Sequence, residues 1–465
     1  MSLNGLFQTG RRSLRVLEGA IQTAGQNIAN AETPGYSRQR LSIRSDNVVA
    51  YGIHARTGRG TFTGTGVSIQ SYERVRDGLL DRAARDAHAD LGAADQEIRT
   101  GRALEGMLAA DTDGSLTQTL TKFWDAWGEV ANAPADRSVR GVLLDRADAL
   151  AGVFHRHSDD LSRLAGETRT ALSDGVAQFN GLAEKVARLN ERISAARAAG
   201  TPDFAAEDDR DQALQSLSAL APVRVAAEAD GSYSVTVQGM SVVQGTHVSG
   251  LTLAPAESPD ADDAVRFAGT DVAFKPGTEG NGGIGGWLRT LNGHIRGTRD
   301  GLDALAQQVA EGVNAAHRGG YGLHDADPAG LGGGAGRNFF DPSGVTAATF
   351  ARSAEVDNPD DVALSAEAGA RGDATVALRL ADVRAGTERD AAAIAGQVGQ
   401  RVQTATARSA AASALVGHFE GLAEGVSGVS LDEEMTHLIE YQQAYAASAR
   451  VLTTAQSMFD TLLAI

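Results

Sequence analysis

The sequence predicts a mainly α-helical chain with a β insertion, and three patterns carry that prediction. Both ends show narrow seams of apolar or small residues spaced alternately by four and three. Between them run long stretches rich in Ala, Leu, Arg, Asp and Glu with helical spacing. After Pro222, short Val-rich segments alternate with polar residues, as half-buried strands do. The architecture expected is a coiled coil made by the two terminal helices, a long-helix bundle domain, and a small antiparallel β outer domain. The segments fall at 1–50 and 429–465 for the two halves of the coiled-coil domain. The helical rod domain takes 51–222, 284–320 and 381–428, the β domain 223–283, and loops with short extended pieces 321–380.

The first seam is Leu3, Phe7, Gly10, Leu14, Leu17, Ile21, Ala24, Ile28 and Ala31. Asn30 closes this helix, Pro34 cannot continue it, and Gly35 supplies a positive φ, so the chain turns between Asn30 and Tyr36. Leu41, Ile43, Val48 and Val49 then read as strand; Gly58, Gly60, Gly64 and Gly66 break the next stretch into a hairpin or irregular segment. Helix is expected from about Ser71 to Gly200, with Leu172, Val176, Phe179, Leu182, Val186, Leu189 and Ile193 on one face. Thr201 and Pro202 read as an N-cap and first helical position. Tyr233, Val235 and Val237, then Val242 and Val243 beyond Gly239, read as strands joined by a tight turn. A helix returns from Ile284 to His317, a Gly-rich loop follows, and helices run to the end. The second seam is Leu431, Met435, Leu438, Gln442, Tyr445, Ala449, Leu452, Gln456, Phe459 and Leu463.

Composition narrows the function. At 465 residues the chain can bury a large core, and without cysteine it has no disulfide, thiolate metal site or cysteine nucleophile. A net charge of -17 repels nucleic acid. No window reaches the roughly 18 apolar residues of a membrane span, and the first residues lack the basic and apolar regions of a cleavable secretory signal, so export without one is expected.

Candidate chemistry reduces to structure. Gly280, Gly282 and Gly285 fit a dinucleotide-binding spacing, but no second parallel strand with a terminal acid accompanies them, and a flexible joint is the expected role. His155 and His157 point about 200° apart on a helix and suit solvated surface better than a metal. Asp111, Asp113 and Gly114 miss the calcium-loop glycine position. Ser430 with Glu433 forms a capping box; Phe123, Trp124 and Trp127 suit a helix core. No nucleophile elbow, phosphate loop or zinc-protease motif is present. Neither an enzyme nor a cofactor or metal site is expected.

The seams therefore carry the functional reading. Residues 3–31 make a helix of about 43 Å. Its six large apolar side chains, Leu3, Phe7, Leu14, Leu17, Ile21 and Ile28, contribute about 9–18 kcal/mol only if a partner buries them. The C-terminal seam, similar in length and period, is the partner expected. A two-helix pair still leaves apolar surface open, so further subunits are expected around it. The assembly interface assigned on this basis adds Leu431, Met435, Leu438, Tyr445, Leu452, Phe459 and Leu463.

The run Asn27-Ile28-Ala29-Asn30-Ala31-Glu32-Thr33-Pro34-Gly35-Tyr36 resembles the signature of axial proteins of the bacterial flagellum, with Asn27, Asn30, Thr33, Pro34, Gly35 and Tyr36 at its motif positions. Ser37-Arg38-Gln39, Leu431-Asp432-Glu433-Glu434, Tyr441-Gln442-Gln443-Ala444-Tyr445 and Phe459-Asp460-Thr461-Leu462-Leu463 narrow the resemblance to the FlgK family of hook-associated proteins. Asp209-Arg210-Asp211-Gln212, Gly282-Gly283-Ile284-Gly285-Gly286 and Val313-Asn314-Ala315-Ala316-His317 are similar to that family's patterns in order, whereas Thr290-Leu291-Asn292 departs from its frequent Arg-Asp. The resemblance implies a structural subunit exported through the flagellar type III apparatus to the extracellular flagellum, at the hook–filament junction. It implies as partners its own copies in a helical lattice, the hook subunit below, a second junction protein above, a cap protein during assembly, and an export chaperone on the C-terminal helix. A hook or rod subunit is the nearest alternative, and an extracellular coiled-coil adhesin another.

Overall fold

The computed structural model describes residues 3–46, 48–51, 61–64, 66–109, 114–254, 261–277, 282–325 and 334–463. Gly58, Gly60, Asp111, Asp113 and Gly280 lie outside them. Helix α1 (Leu3–Ala29) leads into a two-part antiparallel ribbon of β1 (Gln39–Ser45), β2 (Val48–Tyr51), β3 (Thr61–Gly64) and β4 (Val67–Arg74), in which β1 pairs with β4 and β2 with β3. A register shift at Ser42/Ile43 twists the ribbon, and Leu41, Ile69 and Tyr72 pack against Gly19 of α1. Strand pairing persists to Arg74, past the start expected for the helices, because Val67 and Ile69 keep a period of two against β1.

The helical body comes next: α2 (Gly78–Met107), α3 (Leu116–Asn132), α4 (Arg137–Ala198) and α5 (Phe204–Leu220). Asp77, Ser115, Asp136 and Asp203 cap these four by accepting hydrogen bonds from first-turn N–H groups. The cap of α5 is thus Asp203, not Thr201, since its carboxylate reaches Ala206 N at 3.1 Å. At 62 residues, α4 is about 93 Å long and forms the spine of the molecule.

Against α4 lies the β insertion: β5 (Val223–Ala227), β6 (Tyr233–Val237), β7 (Met240–Gln244) and β8 (His247–Val248) in a four-stranded meander, with β9 (Leu251–Ala254) and β10 (Ala264–Phe267) as a hairpin. Gln238 (φ 50°) and Gly239 (φ 84°) make the two-residue β6–β7 turn, both in the left-handed region this connection needs. Val235, Val237, Val242 and Val243 belong to one continuous core with Leu172, Val176 and Phe179 of α4. Asn180 and Asn190 of α4 fasten the sheet by pairing with the backbone of Leu251 and Tyr233.

The chain returns through α6 (Gly282–Arg289), a π-helical segment (Thr290–Ile295) and α7 (Arg296–Arg318). Here the expectation of a flexible joint fails. Gly282, Gly283, Ile284, Gly285 and Gly286 are all buried. A Cβ on Gly286 would stand 2.6 Å from the Ala93 carbonyl oxygen, and one on Gly282 (φ 64°) 2.3 Å from the Leu220 backbone. The glycines let α6 touch α2 and α5 backbone to backbone.

Residues 334–374 fold over α3 and α7 and lead into α8 (Thr375–Leu378), α9 (Ala381–Ser427) and α10 (Leu431–Leu463). Phe339, Phe340 and Phe350 pack in tilted contacts against Phe123, Trp127 and Phe154 at centroid separations of 4.9–6.3 Å, so the expected Trp124–Trp127 helix core is real and draws in this loop. Trp124 also donates to Thr387 of α9 at 3.1 Å. His157 is buried on α4, where desolvation lowers its pKa, and is not the solvated residue expected. Antiparallel to α2, α9 is held by Ser409–Asp95 and Arg408–Glu97, both at 2.9 Å.

Candidate functional site

The site is the terminal helix pair together with the elbow that joins it to the helical body. Helices α1 and α10 pack side by side. Ser13 Oγ lies 3.1 Å from Ser448 Oγ, and a Cβ on Gly10 would meet the Leu452 side chain at 2.8 Å, so the helices run antiparallel with Leu452 as a knob against a glycine hole. The face of α1 buried within the chain is made of small residues, Gly10, Val16, Gly19, Ala20, Thr23 and Ala24, with Asn27. Phe7, Leu14, Leu17, Ile21 and Ile28, the large residues of the expected seam, are only half-buried on its flank. On α10 the inward side chains are Glu434 and Ala455, with Leu438 and Leu452 half-buried. Leu431, Met435, Tyr445 and Phe459 are exposed, Met435 at 53%. Leu3 and Leu463 are helical, but their side chains fall outside the described set.

The elbow, residues 30–38, is where the signature residues meet. Gly35 takes φ 81°, which only glycine adopts without strain. Asn27 works as a two-sided clamp: its Oδ1 accepts from Tyr36 Oη (2.8 Å) and Gln39 N (3.0 Å), and its Nδ2 donates to Gln39 O (2.9 Å). Asn30 Nδ2 caps α1 by donating to Gln26 O, and Thr33 Oγ1 donates to Asn30 Oδ1. Burial, then Asp208 and Glu434, push the Tyr36 hydroxyl up to about 12, so it stays a donor.

Two other segments grip this elbow. From α5, Asp208 accepts from Ser37 Oγ at 2.7 Å and Gln212 donates to Pro34 O at 2.8 Å. Arg74, the last residue of β4, and Arg76 just after it bridge the same helix. Arg74 reaches Glu207 (2.8 Å), Asp208 (2.7 Å) and Asp211 (2.9 Å), and Arg76 reaches Asp211 (2.9 Å) and Asp81 (2.6 Å). Burial alone would lower the Arg74 pKa, but Asp211, Glu207 and Asp208 outweigh it and raise it. From the C-terminal side, Arg38 pairs with Glu434 (2.8 Å) and Glu433 (3.2 Å), and its N–H donates to Ser427 O. Ser430 does cap α10, at 3.5 Å from Glu433 N, while the Glu433 carboxylate turns to Arg38.

Sequence reasoning attached no role to Arg74, Arg76, Glu207, Asp208 or Gln212. The signal was present: Glu207, Asp208, Asp211 and Gln212 share one face of α5 by their spacing. Arg210, in the same run, points the other way, buried under the Tyr233 ring (3.5 Å) and donating to Asn190 and Gly231 O. Among the described residues no group of three or more His, Asp or Glu is arranged to hold a metal ion.

Residues 102–340 match the family described as flagellar hook-associated protein FlgK helical domain, more than half of the chain. The chain belongs to this FlgK family. It is a structural protein of the bacterial flagellum, and its place is the junction of hook and filament. Residues 425–465, covering α10, match the C-terminal family of flagellar basal body rod FlgEFG proteins. Flagellar hook-associated protein 1 of Bacillus subtilis is 26% identical over 98% of this chain and 97% of its own length. The Salmonella typhimurium protein of that name is 24% identical over the whole of both chains, in an alignment of 568 positions, so it carries segments this chain lacks. A solved structure, the flagellar hook junction protein FlgK from Burkholderia pseudomallei, is 24% identical with a TM-score of 0.47, covering 52% of this chain and 44% of that one.

Proposed function

We propose that this FlgK-family chain acts by assembly and not by chemistry: its terminal pair enters the wall of the axial structure, and the elbow fixes the pair's direction relative to the helical body. One observation carries the reading. The large apolar residues of α10, Leu431, Met435, Ile439, Val451, Met458 and Phe459, are exposed in the single chain, and stable proteins leave so large an apolar surface open for a partner. The assembly interface comprises Phe7, Leu14, Leu17, Ile21 and Ile28 with Leu431, Met435, Leu438, Tyr445, Leu452 and Phe459. Neighbours of the layer are copies of the chain, the hook subunit below and a second junction protein above, with a cap protein present while subunits add. An export chaperone covers the same α10 surface before delivery outside the cell.

The test is deletion of the gene followed by electron microscopy and complementation. Hooks without filaments, with filament subunits in the medium, are expected; hookless cells would assign the chain to rod or hook instead. Ile21→Asp or Leu438→Asp should leave purified chain folded by circular dichroism yet fail to restore filaments.

A further inference from the structure

The terminal pair is polarised in charge along its length. Helix α1 carries Arg11, Arg12 and Arg15 against the single acid Glu18, whereas α10 carries five carboxylates against Arg450 alone. From Arg408 to Arg450 the chain has no Lys or Arg between them. Because the helices are antiparallel, the arginines stand beside the C-terminal half of α10 and not beside the four acids of its N-terminal half, Asp432, Glu433, Glu434 and Glu440. The Gly10–Leu452 and Ser13–Ser448 register puts Arg15 level with about residue 446. Glu440 and Asp432 therefore lie roughly 9 and 21 Å further along, at about 1.5 Å per residue. Arg11, Arg15, Asp432 and Glu440 are exposed, and among the described residues none makes an ion pair within the chain. Helical periodicity turns Arg11 and Arg15 away from the α10 contact, and turns Asp432 and Glu440 away from α1, with Ile439 exposed between those acids.

We propose that this outer face of α10 receives a second copy of the chain, whose α1 lays Arg11 and Arg15 against Asp432 and Glu440. The two charge clusters do not meet within one molecule, since they are offset along the pair and point outward from opposite faces of it. They meet when a neighbour is displaced along the axis, so the arrangement favours head-to-tail addition with one polarity and opposes side-by-side alignment of like ends. The exposed Ile439 supplies an apolar part of the contact, and the charges set its register.

This inference rests on the assembly role proposed above, and the experiment separates the two. In cells lacking the native gene, Arg11→Glu with Arg15→Glu should cut filament-bearing hooks at least tenfold, and Glu440→Arg with Asp432→Asn should do the same, with circular dichroism of each purified chain unchanged. Combining both sets in one chain should restore filaments to at least half the wild-type number. Since the chain has no cysteine, the pair Arg11→Cys and Glu440→Cys, too far apart to join within one molecule, should give disulfide-linked multimers in isolated flagella. Reversals without effect, a combined variant no better than either set, or absence of cross-linked multimers would overturn the contact while native complementation still gives filaments. Failure of the native gene itself to restore filaments would instead overturn the assembly role.

Discussion

His317 shows how a family motif becomes a structural joint. Fully buried on α7, it shares a hydrogen bond between Nδ1 and Arg337 O (2.9 Å), and its Nε2 accepts from Ala363 N (2.8 Å), so the neutral ring carries its proton on Nδ1. Burial lowers its pKa to about 4. The unfolded chain takes the proton near 6.5, so this contribution to stability is complete above pH 6.5 and is lost as pH falls toward 4. It amounts to at most about 3 kcal/mol. Urea unfolding at pH 7.5 and 4.5 should show that loss in the native chain and a smaller one in His317→Gln, whose amide can both donate and accept; equal losses would remove His317 as the cause. At the elbow, Arg74→Ala leaves Glu207, Asp208 and Asp211 facing one another, all about nine-tenths buried, and should cost about 3–5 kcal/mol in the same measurement. The exposed Arg11→Ala should stay within about 0.5 kcal/mol.

At the scale of elements, glycines mark where helices must touch. Gly286→Leu forces a side chain into the Ala93 carbonyl, and repacking of α6 against α2 should cost about 1–3 kcal/mol. Gly25 of α1 has nothing within 4 Å of a built Cβ, so Gly25→Ala should instead stabilise the chain, by up to about 1 kcal/mol of helix propensity, and raise the melting temperature. Calorimetry of the two variants distinguishes a packing glycine from a merely tolerated one. The same contrast explains the joint that turned out rigid. A run of glycines reads as freedom in a sequence, yet when α2 and α5 lie against it the absent side chains become contact surface.

The whole molecule is a long helical spine with a terminal helix pair fastened at one elbow. Gly35→Ala strains φ and drives a Cβ into Gln212, at 1.9 Å from Nε2, so it should loosen the fastening and not the spine. Hydrogen exchange should quicken in α1 and α10 while the buried amides of α4 stay protected; uniform quickening would mean the elbow is part of the global core. The Arg74–Arg76 network and the Asn27 clamp act together here, setting the direction in which the pair leaves the body.

Much of this was legible in the chain itself, because local patterns record local physics. Periods of three to four and of two placed the helices and the β insertion, Asn30 to Tyr36 placed the elbow, and the matched terminal seams named each other as partners. Tertiary structure alone decided which faces those helices use. The small residues Gly10, Ala20 and Ala24 turned inward, leaving Leu14 and Ile21 half-buried and Met435 exposed, because close approach of two helices needs small side chains and leaves large ones for other subunits to cover. It also decided that Asp208, Asp211 and Gln212 reach across 134 to 178 residues to grip residues 34–37 and Arg74. Such long-range pairing depends on which surfaces meet in space, and no periodicity along the chain encodes it.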